Sequence, residues 1–72
     1  MTKAEAKRIA KINVDYYKRY ERMAAKEMAA LMETMQYESE IDYDDDFQDA
    51  KALWATYDQS IRAWKAILRE LR

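Results

Sequence analysis

Neither glycine nor proline occurs anywhere in the 72 residues. These are the two residues that most strongly interrupt a helix, and glycine is the usual means of making a tight turn. The chain is thereby steered toward long helices, ended by whatever polar side chains can end them. Twelve alanines, five methionines and many Lys, Arg and Glu raise helix propensity further. An all-α fold is expected.

Two apolar stripes support it. The first runs Ile9, Ile12, Tyr16, Tyr17, Tyr20, Met23/Ala24, Met28, Leu31, Met35, in steps that fit one face of a helix. Thr2 and Glu5 have capping-box spacing, which places the start at about Lys3. Asn13-Val14-Asp15 is the weakest stretch, and a break there would make three helices of two. The second stripe is Phe47, Ala50, Trp54, Tyr57, Ile61, Trp64, Leu68, Leu71, an a/d seam of alternating three- and four-residue steps. Leu53 and Ile67 widen one flank, and Asp45 with Gln48 suggests a second capping box.

The charges are sorted into three blocks. Residues 1–26 carry eight basic and three acidic residues, a net of +5; residues 27–49 carry nine acids and no base; residues 50–72 return to +3. Acids belong at the start of a helix and are misplaced at its end. Glu38/Asp42, Glu40/Asp44 and Asp42/Asp46 would also repel at i,i+4 in a continuous helix. The acidic block therefore marks the turn. The expected object is a single helical domain over 1–72, an antiparallel hairpin with helices over about 3–37 and 46–72 and an acidic turn over about 38–45. A turn centred near residue 41 sets Phe47 opposite Met35, Trp54 opposite Met28 and Trp64 near Tyr17 and Lys18. The competing form is one bent helix about 100 Å long. A core this small supplies only about 3–5 kcal/mol unaided. Completion as a helical bundle by homodimerisation is therefore expected, with opposite ends brought together.

Chemistry-bearing patterns are few. With no cysteine there are no disulfides or thiolate metal sites, and with no histidine the commonest general base is missing. Asp42-x-Asp44-x-Asp46 matches the opening of a calcium loop, but Phe47 stands where Gly is needed and Leu53 where the bidentate Glu belongs. Ser39 and Ser60 have no His to activate them. Neither catalysis nor a cofactor or metal is expected. The basic N-terminal block, interleaved with Tyr16, Tyr17 and Tyr20, invites a nucleic-acid reading. Core packing accounts for those tyrosines more simply, and nine acids would repel a polyanion. Membrane association is not expected either: no apolar run approaches about 18 residues, and the start lacks an apolar stretch after Lys3. A cytoplasmic protein is the expectation.

Two readings remain, a self-assembling structural bundle subunit and, favoured over it, a protein-interaction module. Glu38, Glu40, Asp42, Asp44, Asp45, Asp46 and Asp49, with Tyr37, Tyr43 and Met32, would meet a basic surface of a larger protein or complex. Carboxylates supply steering, and aromatics and a thioether supply contact. The plainer alternative is a solubilising loop. In size and composition the chain is analogous to small phage or mobile-element inhibitors such as anti-CRISPR proteins. Replacing Asp44 and Asp45 by lysine should slow association and spare the fold.

Overall fold

The computed structural model describes all 72 residues, Met1–Arg72. Two long helices, α1 (Lys3–Glu33) and α3 (Asp45–Glu70), pack antiparallel; a single helical turn, α2 (Glu40–Tyr43), lies between them. The molecule is an all-α hairpin, a rod of 53 × 15 × 15 Å. At its open end the Lys3 ammonium donates to the Arg72 carbonyl at 3.2 Å, so the two basic blocks meet. The acidic block occupies the closed end.

Helix α1 starts where the capping box placed it: the Thr2 hydroxyl accepts from the Glu5 amide at 3.1 Å. It runs unbroken through Asn13, whose side-chain amide donates to the Ile9 carbonyl of the preceding turn at 2.9 Å. It stops at Glu33 instead of 37. No basic residue stabilises its last turn, and the Thr34 hydroxyl donates back to the Leu31 carbonyl at 2.7 Å. The amides of Gln36 and Tyr37, which a longer helix would use, both donate to the Glu40 carboxylate at 2.6 and 2.9 Å. The turn therefore spans residues 34–44 and contains α2, where an irregular 38–45 was expected.

The cap of α3 is one residue earlier than the sequence suggested. Asp44, not Asp45, is extended (φ −85°, ψ 110°), and its carboxylate accepts from the Phe47 amide at 2.8 Å. Gln48 does not reach back as a capping box would. Its side-chain amide donates instead to the Ile41 carbonyl at 2.9 Å, tying α2 to α3. The earlier end of α1 also shifts the register. Tyr17 packs on Tyr57 at 6.1 Å between ring centroids, where a turn at residue 41 would have set it near residue 65. The pairings drawn for Phe47, Trp54 and Trp64 shift with it.

The core is thin. Only Ala10, Val14, Ala24, Phe47, Ala50 and Ile61 are buried. The α3 seam follows the sequence reading, with Phe47, Ala50 and Ile61 buried and Tyr57, Trp64, Leu68 and Leu71 half-buried; Trp54 sits at the edge, 36% exposed. The α1 seam follows it only in part: Ala24 is buried and Ile9, Tyr17, Met28, Leu31 and Met35 are half-buried, as expected. Ile12, Tyr16, Tyr20 and Met23 are exposed. The residues facing α3 are Ala10, Val14, Tyr17, Glu21, Ala24, Met28, Leu31 and Met35, a strict 4,3 repeat like that of α3. Alanines at three seam positions let two helices approach closely.

Ile61 is 5% exposed, and cutting a buried Ile back to Ala costs about 2–5 kcal/mol, comparable to the whole stability of so small a core. Ile61→Ala should therefore lose most of its helical circular dichroism at 25 °C. Asp44→Ala, which removes only a cap, should cost about 1 kcal/mol and lower Tm by roughly 4–8 °C.

Candidate functional site at the closed end

The sequence-derived site residues all lie at the closed end, but two of them hold the turn together. Glu40 accepts the Gln36 and Tyr37 amides, as the acidic arm of a capping box does. Asp44 caps α3 and is half-buried. Both carboxylates are thus committed to backbone amides. Glu38, Asp42, Asp45, Asp46 and Asp49 remain as exposed carboxylates with no salt bridge. The expectation that Asp44→Lys would spare the fold fails for the same reason: it would remove the α3 cap and put a cation at a helix N-terminus.

Two aromatic rings project beside those acids. Tyr43 is 86% exposed and Tyr37 68% exposed. Met32, exposed as expected from its position off the stripe, lines a cleft of about 310 Å³ with Met35, Gln36, Tyr37, Glu38 and Ile41. Its apolar floor opens next to a carboxylate. Such a cleft can take an apolar side chain whose neighbours are cationic. No group of three acidic side chains is placed to hold a metal ion, the Asp42–Asp44–Asp46 run included.

Two features away from the turn escaped the sequence reading. The first is an aromatic ladder: Tyr16 meets Tyr17 edge-on at 5.1 Å and Tyr20 at 4.8 Å, and Tyr20 meets Tyr57 at 5.6 Å. The hydroxyl contact with Tyr20 is the main reason the Tyr16 phenol titrates above its ordinary value. The core-packing account of Tyr16 and Tyr20 is corrected accordingly: they stack on one another along an exposed flank. The second is Glu21, a carboxyl at a seam position. Partial burial, then the Asp58 carboxyl it faces, push it above the usual carboxylate range, while Lys65 and Lys18 pull the other way. Asp58 itself pairs with Arg62 at 2.9 Å.

The sequence matches no family model, and comparison with curated proteins and with solved structures gives no significant match. No helix is long and apolar enough to cross a membrane.

A carboxyl raised in the folded state favours folding while it is protonated, and that contribution is lost as pH rises through its folded value. The contribution of Glu21 to stability should therefore rise as pH falls from neutral through its titration. Glu21→Leu should remove that part of the pH dependence and add about 0.5–2 kcal/mol at pH 7, read as Tm across a pH series.

Proposed function

We propose that this chain is a non-catalytic helical interaction module whose closed end docks on a basic surface of a larger protein or complex, as an inhibitor or adaptor. The observation that carries the reading is the pair Tyr37 and Tyr43, held out beside exposed carboxylates on a turn fixed at both ends by Glu40 and Asp44. Large exposed aromatics on a rigid mount lose little conformational freedom on binding, and they supply the contact energy that acids alone do not. The exposed acids attract a cationic surface from a distance and speed encounter. The cleft beside Met32 and Tyr37 receives an apolar side chain from that surface. The small phage and mobile-element inhibitors, anti-CRISPR proteins among them, remain an analogy of size and composition that suits this role, acting in a host cytoplasm.

A photo-crosslinking residue at Tyr43 should capture a partner that the same residue at Ala55, exposed on α3 away from the closed end, does not. Against that partner, Glu38→Lys with Asp42→Lys should cut the association rate at least tenfold at low salt, with helicity retained because neither side chain caps a helix. Tyr43→Ala should instead speed dissociation. Equal capture at both positions, or association indifferent to the charge reversal, would exclude this docking mode.

A further inference from the structure

The hairpin exposes 5813 Å² of accessible surface, whereas a folded monomer of 8.7 kDa exposes about 4,700 Å². Part of the surplus is a strip of large apolar side chains. On α1 it comprises Ile12 (54% exposed), Tyr16, Tyr20 and Met23 (62% exposed); on α3 it comprises Leu53 and Ile67. The α1 members step by four, four and three residues and share one flank of the helix. Leu53 and Ile67 are two heptads apart and share another. A shallow groove where Tyr20 and Met23 meet Leu53 and Tyr57 puts both flanks on the same side of the hairpin. Lys18, two residues from both Tyr16 and Tyr20, lies on the opposite side of α1 and acts there on Glu21.

The strip is symmetric about its own middle. Ile12 and Met23, and likewise Tyr16 and Tyr20, flank a point at about Lys18, while Leu53 and Ile67 lie equally far either side of Ser60. Because Tyr17 packs on Tyr57, those two midpoints stand within about one helical turn of the same height. A two-fold axis across the hairpin at that height lays α1 against α1 and α3 against α3, each antiparallel. Ile12 then covers Met23 of the second copy, Tyr16 covers Tyr20, and Leu53 covers Ile67.

We propose that the chain forms an antiparallel, two-fold-symmetric dimer through this strip, a four-helix bundle whose acidic closed ends point in opposite directions. Charge selects the occupant and the orientation. Parallel stacking sets the −9 block of residues 27–49 against itself; antiparallel stacking moves the two acidic blocks to opposite poles and lays only their inner ends, Glu27, Glu33 and Asp49, against the +5 and +3 blocks of a second copy. Glu27, the charged residue lining the groove, lies at the start of that acidic block, toward the basic half of the second copy. The strip is centred nearer the open end, so α1 overlaps from Lys3 to about Met32, roughly 45 Å. Across a rod 15 Å wide that covers roughly 700 Å² per copy, within the range of a stable interface. The closed ends overhang, leaving Tyr37 and Tyr43 free. The dimer face is separate from them, so it stands whether or not the closed end docks on a partner.

Sedimentation equilibrium of the full chain tests this. The wild type should be dimeric at about 0.1 mM and dissociate as salt rises. Met23→Glu with Leu53→Glu should be monomeric with helicity retained, and the milder Met23→Gln with Leu53→Gln should raise the dissociation constant at least about tenfold. Ala55→Glu, away from the strip, should change nothing. The chain has no cysteine, so Ser39→Cys takes one spin label; the intermolecular distance should be about 60 Å, where parallel stacking brings the labels together. A wild type that stays monomeric, a dimer indifferent to the glutamine pair, or a short label distance overturns the proposal.

Discussion

Two carboxylates make this fold possible. A chain without glycine or proline has no cheap way to reverse direction, because helix ends leave backbone amides and carbonyls without partners. Here Glu40 takes the amides of Gln36 and Tyr37, and Asp44 takes the amide of Phe47. The first withdraws donors that would have prolonged α1; the second supplies the acceptor that lets α3 begin. The reversal is accomplished with right-handed and extended backbone alone, and no residue has a positive φ. Had those acids been neutral amides, the charge-assisted part of both bonds would be lost, roughly half their strength, and continued helix would compete directly.

That mechanism lets part of the acidic block hold the turn while leaving other carboxylates free for the docking role proposed above. A carboxylate bonded to backbone amides is fixed in place and holds the chain around it. Its exposed neighbours Asp42 and Tyr43 lie between the two caps, on a turn closed at each side. The same block that solvates a helix end thus becomes a rigid mount. The two roles fall on different residues, which is why charge reversal at Glu38 and Asp42 separates them where Asp44 would not.

What was readable in the sequence depended on how cleanly each helix sorts its residues. In α3 the seam positions are apolar at every step and the acids stay outside it, so periodicity alone found the face that packs. In α1 two stripes lie side by side. The assignment mixed them: it took Ile12, Tyr16, Tyr20 and Met23 from the aromatic one, whose side chains are larger, and Tyr17, Ala24, Met28, Leu31 and Met35 from the seam, and missed Ala10, Val14 and Glu21. The true seam holds two alanines and Glu21, all weak hydropathy signals, although its 4,3 spacing is as regular as that of α3. Hydropathy ranks stripes by size and apolarity; packing between close helices favours small residues. The closed end was located correctly because like charges at i,i+4 are an energetic argument. Its limits were missed because which carboxylate bonds which amide depends on side-chain reach in three dimensions.

The misassigned stripe and the thin seam are two sides of one fact. A pair of antiparallel helices has a single line of contact, and alanine fills much of it here, so the larger apolar residues are left outside. Two-helix packing leaves them wet; a four-helix arrangement gives them an interior. Coiled-coil faces of this kind often tolerate more than one partner orientation, since apolar contact carries little directional information. Sorted charge supplies that information. Nine acids at one end and a net positive charge along the rest of the rod penalise the parallel arrangement over its whole length, and the two-fold spacing of Tyr16 and Tyr20, Ile12 and Met23, and Leu53 and Ile67 fixes the stagger. In that arrangement the carboxylates that build the turn also set how two turns are oriented, one at each pole of the bundle.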